Sequence, residues 1–442
     1  FNPAAYVIQP DSKVEDLLKQ LPGIQIDKDG KITAQGEKVN KVLLDGEEFF
    51  GDDPTLVTKN IRADMVDKVQ LYDKKSDQAA FTGIEDGVKN KTINIKLKED
   101  AKNGTFGKVD VGVGNKKFYQ GQGIYNTFNA KQKISAYGTI GNTGKTGLGW
   151  EDENKVAGSN DDESMMYYGR NWDDMTYFGE GIPLARTGGL HYDNKWNSDK
   201  HAINGNYKLG SLAIDGSKSS ITQNNLPSSI LNNTSNEVFN NFVFRQKLDG
   251  VYQLKIDTTS NLKLSLDATF KNSDNFNSNQ SEGRRNFDTL LNRSATDVLS
   301  KANQRIFNAS AFYTKKLKKK GRTLSVRLSQ SFNERSEKDS LKSTIEFYND
   351  GGQLDSNVIN DQFRKNDVNY TSVNSNITYT EPLSTKISLM VNYGLNVNNS
   401  TSDRRTFNRS AADVYDDQVN SLSSNFKLNQ LSNQGGVTFN YK

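Results

Sequence analysis

One segment of the chain, residues 150–180, concentrates the side chains best suited to binding a ligand. Aromatic and methionine side chains are interleaved there with carboxylates, and the segment holds two of the three tryptophans. Aromatic rings offer flat apolar contact area with a polar edge, which suits a sugar, a peptide or a partner surface. The alternative is that they only pack the segment onto the rest of the fold. The predicted ligand or partner contacts are Trp150, Met165, Tyr167, Tyr168, Trp172, Tyr177 and Phe178.

The carboxylates of the same segment indicate a second kind of chemistry. Hard cations such as calcium are held by clustered carboxylate oxygens. The sequence predicts no cofactor, and a calcium ion held by this acidic segment is the alternative. The carboxylates concerned are Glu151, Asp152, Asp161, Asp162, Glu163, Asp173 and Asp174.

Other motifs in the sequence do not complete a binding or catalytic site. Residues 141–146 resemble a phosphate-binding loop, but the motif needs a glycine where Thr139 stands and a helix afterwards. Residues 27–30 start like a calcium loop but lack its later ligands. His191 and His201 are the only histidines and lie on either side of one predicted hairpin, and two residues do not complete a metal site. There is no cysteine, and no catalytic set can be assembled, so we predict that the protein is not an enzyme.

The elements that would position these side chains begin with a small α/β unit in the first hundred residues. Apolar residues at helical spacing predict a short helix over 14–21, which Pro22 and Gly23 end. Isoleucines on both sides of residues 27–30 predict a hairpin of two short strands. Further elements are predicted as a strand pair at 39–44, a helix at 64–69 and a strand at 92–97.

The order of motifs in this unit resembles a known family. LLKQLPGIQID, VLLDGEEFF, ADMVDKVQLYD and KTINIKL resemble, in sequence and spacing, the plug domain of TonB-dependent outer-membrane receptors. FFGDDPTL and DKKSDQAAFTGIEDG look like the form of that plug in one outer-membrane β-barrel subfamily. The alternative is a free α/β domain with chance similarity. The resemblance implies a linker at 1–13, a plug domain at 14–103 and a transmembrane β-barrel at 104–442.

Composition fits such an architecture. Hydrophobic residues make up 34% and aromatic residues 10%, while the mean hydropathy is −0.76. A membrane barrel is polar overall because only alternate residues of each strand meet lipid. The net charge of +4, from 57 basic and 53 acidic residues, does not indicate a nucleic-acid partner. No apolar run reaches the length of a transmembrane helix.

Beyond residue 104, segment after segment alternates with period two. Leu262, Leu264 and Leu266 oppose Lys263 and Ser265, a pattern typical of a strand with one apolar face. The predicted strands are 105–114, 120–129, 132–141, 186–195, 201–210, 238–257, 262–271, 305–315, 322–332, 370–380, 386–397, 422–430 and 435–442.

The predicted connections alternate between short and long. Outer-membrane barrels show this asymmetry, with short periplasmic turns and long extracellular loops. Counted from a periplasmic plug, parity places every long loop outside, and it requires 238–257 to be one strand. The predicted short turns are 130–131, 197–200, 258–261, 316–321, 381–385 and 431–434. The predicted long loops are 142–185, 211–237, 272–304, 333–369 and 398–421.

The resemblance also supplies the expected fold and function. The fold is mainly β: a small α/β plug inside a large antiparallel transmembrane barrel of about 22 strands. Only about 13 are predicted here, so we expect a truncated chain. The implied function is a receptor and transporter of a Gram-negative outer membrane, which binds a ligand at the surface and imports it. The alternative is a plugged barrel that serves as a structural or assembly partner, and a soluble secreted all-β binding protein is a third hypothesis.

The partners follow from the same resemblance. Lipid and lipopolysaccharide of the outer membrane would surround the barrel, and TonB would act on the plug if the chain transports. A surface lipoprotein or other outer-membrane complex subunits are the partners under the alternative.

Overall fold

The structure is a computed structural model, and it describes residues 1–442 except 11, 28–31, 49–56, 60, 86, 130, 145–176, 178 and 442. The fold is mainly β, and one large antiparallel sheet dominates it. Two small sheets and several short helical segments precede that sheet in the described part of the chain. We call residues 1–103 the N-terminal region.

The first small sheet follows helix α1, Val14–Gln20. Strands β1 (Ile24–Ile26) and β2 (Ile32–Ala34) pair antiparallel, which confirms the predicted hairpin, and β3 (Glu37–Lys38) pairs with β2. The predicted helix is also confirmed. It buries its apolar stripe because Val14, Leu17 and Leu18 recur at helical spacing.

The second small sheet has the order β5-β4-β7-β6. Its strands are β4 (Lys41–Leu44), β5 (Glu47–Glu48), β6 (Val66–Lys75) and β7 (Lys89–Leu97). β4 and β7 run parallel, and the other pairs are antiparallel. The predicted strand at 92–97 is thus confirmed within β7.

The helix predicted at 64–69 is wrong. A single 3-10 turn at Ala63–Met65 leads directly into β6, which pairs with β7. Val69 lies opposite Ile95, and both side chains are fully buried. Burial against a neighbouring strand overrides the weak local helical spacing. Helix α2, Asp77–Thr82, follows instead and was not predicted.

One hydrophobic core holds the N-terminal region together. Leu17 and Leu18 of α1, Leu44 of β4 and Ile95 of β7 are fully buried in the same cluster. Full burial of one such side chain contributes roughly 1.5–3 kcal/mol. The region therefore forms a packed unit around α1 and the second sheet.

The large sheet contains 13 strands in the residues that the structure describes. From β8 to β19 each strand pairs antiparallel with the next along the chain, and β20 pairs with β18. The strands are β8 (Gly104–Val113), β9 (Tyr119–Phe128), β10 (Gln132–Gly141), β11 (Ile182–Trp196), β12 (His201–Leu226), β13 (Ser229–Lys255), β14 (Ser260–Arg285), β15 (Thr289–Lys316), β16 (Thr323–Tyr348), β17 (Leu354–Pro382), β18 (Ile387–Arg409), β19 (Tyr415–Gln418) and β20 (Ser424–Tyr441).

Four of the predicted long loops are wrong. Residues 211–237, 272–304 and 333–369 are mostly strand, as is the first half of 398–421, and tight turns join the strands at their far ends. We call these turns the tips and the turns at the other end the base. In polar strand segments such as 272–285 nearly all side chains on both faces are hydrophilic, so no alternation of apolar and polar residues predicts a strand there. The fifth predicted long loop, 142–185, lies largely outside the described residues, and its last four residues belong to β11.

The base turns agree with the prediction more closely. Residues 197–200 connect β11 to β12 as predicted. Of the predicted single strand 238–257, residues 238–255 lie within β13, and the last two belong to the base turn. The predicted turn at 431–434 is wrong, because these residues continue β20 and pair with 394–397 of β18. In the large sheet, the described register shifts all lie next to tips: at Gly283/Arg284, Phe347/Tyr348 and Asn408/Arg409.

Candidate functional site

The register of the large sheet separates its side chains into two faces. Leu264 of β14 lies opposite Ala311 of β15, which lies opposite Leu328 of β16. These positions and their alternate neighbours form the apolar face, on which Leu264 is 39% exposed and Leu328 50%. Lys263 and Ser265 belong to the other face, which we call the polar face. The predicted alternation along 262–271 is confirmed.

The N-terminal region lies against the polar face. Phe128 of β9 and Tyr137 of β10 are buried in the same hydrophobic cluster as the core of that region. Tyr137 is in register with Ile124 of β9, whose side chain packs against this cluster. Among the described residues, the sheet contributes to this cluster from β9 and β10, its second and third strands.

Polar contacts fix the β4–β5 hairpin to the sheet, and we call them the first attachment. Their donors come from three adjacent strands, β10 to β12. Two of the acceptors are main-chain carbonyls, so the contacts depend on the path of the hairpin rather than on its side chains. The contacts are Lys133 Nζ to Leu44 O (3.0 Å), Lys195 Nζ to Glu47 Oε1 (2.7 Å) and Asn204 Nδ2 to Glu48 O (2.7 Å).

A buried hydrogen-bonded network lies behind the first attachment. Asn204 Nδ2 also donates to Asp193 Oδ2 at 3.3 Å, and Asn206 Nδ2 donates to Asp249 Oδ2 at 2.6 Å. His191 Nδ1 lies 2.7 Å from Asn206 Oδ1. Such a network restricts the orientation of its members, because a buried polar group is costly without its partner. Asn204 is therefore held in position to donate to the hairpin.

Helix α2 provides the second attachment. Lys263 Nζ of β14 lies 2.8 Å from Asp77 Oδ2, and Ser325 Oγ of β16 donates to Gln78 Oε1 at 2.7 Å. The helix is capped by Ser76, whose Oγ accepts from Ala79 N at 3.0 Å. Asp77 therefore sits in the first turn, where the helix dipole also favours a negative charge.

The charge of Asp77 is stabilised at this place. Burial raises the pKa of its carboxyl group, but the charge and hydrogen bond of Lys263 and the charge of Arg327 together lower the pKa below its ordinary value of 3.8. Asp77 is thus ionised at neutral pH, and the second attachment is a true ion pair.

Of the predicted contact residues, Tyr177 alone is described. It packs against a second hydrophobic cluster, in which Ala185 and Leu212 are buried, and its hydroxyl donates to Gly181 O at 2.8 Å. Contact with a ligand remains a prediction for Tyr177. The other predicted contacts, Trp150, Met165, Tyr167, Tyr168, Trp172 and Phe178, and the predicted calcium carboxylates lie outside the described residues.

The two histidines lie on opposite faces of the large sheet. His191 belongs to the buried network on the polar face, whereas His201 stacks on Trp196 with 5.2 Å between ring centroids. His201 Nδ1 also lies 2.7 Å from the hydroxyl of Tyr252. Within the described part of the chain, no group of three His, Asp or Glu side chains is placed to hold a metal ion. No described helix is long and apolar enough to cross a membrane.

Sequence reasoning missed the residues of both attachments. Period-two alternation assigns Lys263 to the polar face, but it does not show which polar residues the N-terminal region contacts. Asp77 and Lys263 are 186 positions apart, and no local pattern links them. A cluster of lysines on the polar face near the base turns was the available signal.

No family model matches the chain, and no curated protein matches it. Among solved structures, it is similar to the siderophore receptor PirA from Pseudomonas aeruginosa, with 9% identity, coverage of 100% of this chain and 92% of that chain, and a TM-score of 0.22. It is also similar to the copper transporter OprC, with 12% identity, coverage of 98% of this chain and 89% of that chain, and a TM-score of 0.23. A third similar structure is the FrpB iron transporter from Neisseria meningitidis, with 8% identity, coverage of 98% of this chain and 97% of that chain, and a TM-score of 0.22. At these TM-scores the similarity carries no argument, and the function must be argued from the residues above.

Proposed function

We propose that the chain is a plugged β-barrel protein of a Gram-negative outer membrane, in which the N-terminal region is the plug. As a receptor and transporter it would bind a ligand at the cell surface and import it when the plug moves. The order of plug-like motifs supports this proposal, as does the position of the N-terminal region against the polar face. TonB is the partner that the resemblance implies, and no catalytic step is proposed.

The observation that carries the proposal is the height of the apolar face. On β14 its apolar residues run from Leu262 to Phe270, which is roughly 26 Å along a strand at 3.3 Å per residue. On β18 they run from Ile387 to Val397, roughly 33 Å by the same measure. With strands tilted at about 45°, these lengths correspond to roughly 19–23 Å, close to the band of about 25 Å on membrane barrels.

The first test is fractionation of cells that express the chain. We expect it to partition with the outer membrane and to resist extraction by high salt and by carbonate, because the apolar face contacts lipid. Release by salt or carbonate alone would contradict a membrane-embedded sheet. A chain that is soluble without detergent would favour a secreted binding protein.

A matched pair of variants tests the two faces. Leu264→Arg places a cation on the apolar face and should cost roughly 2–4 kcal/mol of stability near the bilayer midplane. Ser265→Arg introduces the same side chain at the next position of β14, on the polar face, and should assemble almost normally. Heat-modifiable migration in gel electrophoresis measures assembly. Equal assembly of both variants would show that lipid does not contact the apolar face.

Ligand binding by the 150–180 segment is tested separately. The segment is predicted to be extracellular, so a cysteine introduced at Ser159 should react with a membrane-impermeant maleimide on whole cells. The chain has no native cysteine, and the label therefore reports on this position alone. Replacing Tyr167, Tyr168 and Trp172 by Ala should weaken binding of the ligand or partner at the cell surface. Labelling with unchanged recognition would mean that these side chains only pack.

A second candidate function is a structural or assembly partner in an outer-membrane complex. The observation that favours it is the length of β15, 28 residues or roughly 92 Å at 3.3 Å per residue. Much of that strand would project beyond the bilayer and offer a rigid surface for a lipoprotein or another subunit. Stable co-purification of an envelope protein, without any loss of solute uptake on deletion of the gene, would favour this candidate.

A further inference from the structure

A cavity of about 480 Å³ separates helix α2 from the base of the large sheet. It lies between the first and the second attachment, because Glu47 of one and Asp77 of the other both line it. Ala80 and Phe81 of α2 form one side, and the ends of strands β11 to β15 form the other. This volume is in the range of small-molecule sites, about 300–1,000 Å³.

The charged side chains that line the cavity do not balance. There are four lysines and three carboxylates. Glu47 pairs with Lys195, Asp77 pairs with Lys263, and Asp199 approaches Lys131 outside the lining at 3.9 Å. The remaining lysines, Lys200 and Lys255, have no carboxylate within ion-pair distance among the described residues.

These two lysines lie side by side. The backbone amide of Lys255 donates to the carbonyl of Lys200 at 2.8 Å, so both side chains start from neighbouring strand ends. Both residues are exposed, and like charges on adjacent strands repel each other. An anion that contacts both would remove this repulsion and gain charge-assisted hydrogen bonds.

The lining also contains two aromatic side chains. Phe81 comes from α2 and Phe312 from β15, and the guanidinium carbon of Arg327 lies 4.4 Å from the ring centre of Phe312. The Phe312 ring is therefore covered on one face by a cation. A bound molecule would thus meet two lysines at one place and aromatic surface at another.

We propose that this cavity binds a small solute that carries a carboxylate or phosphate group next to an apolar part. Lys200 and Lys255 contact the anionic group, and Phe81 and Phe312 contact the apolar part. The cavity lies at the base of the sheet, so it would be a binding site on the path by which a transported solute leaves the protein. This role rests on the proposed transport function. The binding itself does not depend on transport.

The test measures binding to the purified full chain in detergent by calorimetry. The probes are phenyl phosphate, benzoate, inorganic phosphate and neutral phenyl glucoside, so that phosphate, carboxylate and apolar contributions are distinguished. We expect phenyl phosphate or benzoate to bind more tightly than inorganic phosphate, and phenyl glucoside not to bind. The variant Lys200→Gln/Lys255→Gln should weaken binding about tenfold or more, because it removes both charged hydrogen-bond donors to the anionic group.

A matched control removes the same charge elsewhere. Lys318→Gln/Lys320→Gln changes two exposed lysines in the base turn after β15, which do not line the cavity, and should leave binding within about twofold. Phe81→Ala should remove the advantage of phenyl phosphate over inorganic phosphate while inorganic phosphate binds as before.

Three results would overturn the inference: neither phenyl anion binds at millimolar concentration, the Lys200/Lys255 variant binds like the unmodified chain, or the control variant loses as much affinity. Fractionation tests the proposed function independently. A membrane-embedded chain that binds no probe refutes this inference alone, and a chain that binds the probes but is released by carbonate refutes the membrane assignment alone.

Discussion

The ion pair between Asp77 and Lys263 should control how firmly helix α2 is held to the large sheet. Asp77→Asn and Lys263→Gln each remove one charge while keeping the approximate size of the side chain. Ser325 and Gln78 remain as the other contact of the second attachment, so the helix is loosened and not released. The perturbation therefore isolates one electrostatic contact between the N-terminal region and the sheet.

The geometry sets the expected magnitude. The charged atoms are 2.8 Å apart, and the two side chains are 33% and 40% exposed. Attraction between unit charges is roughly 4 kcal/mol at 4 Å with an effective dielectric constant of 20. Desolvation and screening remove most of this in a partly exposed pair, for which double-mutant cycles give about 0.2–1 kcal/mol. We expect a coupling energy near the upper end, about 1 kcal/mol.

Hydrogen exchange of the full chain in detergent measures this coupling locally. A loss of about 1 kcal/mol corresponds to roughly fivefold faster exchange of the α2 amides under conditions where local opening limits exchange. The double variant Asp77→Asn/Lys263→Gln should exchange no faster than either single variant. Amides of β7, which lies in the packed core, serve as the internal reference.

The pH dependence has a definite sign. The folded-state pKa of Asp77 is lowered below 3.8, so its contribution is present above that value and is lost as pH falls through the lower folded-state pKa. The difference between the unmodified chain and Asp77→Asn should thus be constant at neutral pH and shrink in acid below 3.8. Additive effects of the two single substitutions, or a difference that persists unchanged in acid, would refute an ion pair that holds α2.

Three further predictions concern packing. Gly216→Ala should destabilise by about 1–3 kcal/mol, because the new Cβ would meet Phe239 and the backbone of Gly181, whereas Gly435→Ala has open space and should cost little; thermal unfolding in detergent compares the two. Leu17→Ala should cost about 2–5 kcal/mol by leaving a cavity in the core of the N-terminal region, whereas Val7→Ala, 72% exposed, should change stability by less than about 0.5 kcal/mol in urea titrations. Tyr177→Phe removes the hydrogen bond to Gly181 and should cost about 1 kcal/mol of local stability. Amide hydrogen exchange at the start of β11 should then be about fivefold faster. No change in exchange would mean that ring packing alone holds Tyr177.

Where one face of a strand is apolar, the sequence was sufficient to predict the strand. Leu262 to Phe270 and Ile387 to Val397 were both located correctly, because alternation is strongest where one face is apolar and the other is wet. The same strands continue for more than ten residues with polar side chains on both faces. There the pairing is decided by backbone hydrogen bonds to the neighbouring strand, which leave no local pattern.

The candidate site shows the same limit more sharply. The aromatic and acidic residues of 150–180 can be recognised because they are neighbours in sequence. Lys195, Lys200, Lys255 and Lys263 come together only because successive base turns return the chain to one end of the sheet. Predicting their proximity would have required the correct register of three strand pairs, β11–β12, β12–β13 and β13–β14. The alternation of apolar and polar residues does not fix that register, because a shift of two residues leaves every side chain on the same face.

The placement of the register shifts has a consequence for how this protein can vary. The shifts at Gly283/Arg284, Phe347/Tyr348 and Asn408/Arg409 are each next to a tip, so the strands below them keep their partners. A residue gained or lost at a tip can be absorbed by such a bulge. At a base turn the same change would invert the apolar and polar faces of a whole strand. The tips are therefore where the length of the chain can change freely, and where a tag can be inserted without altering the contacts at the base.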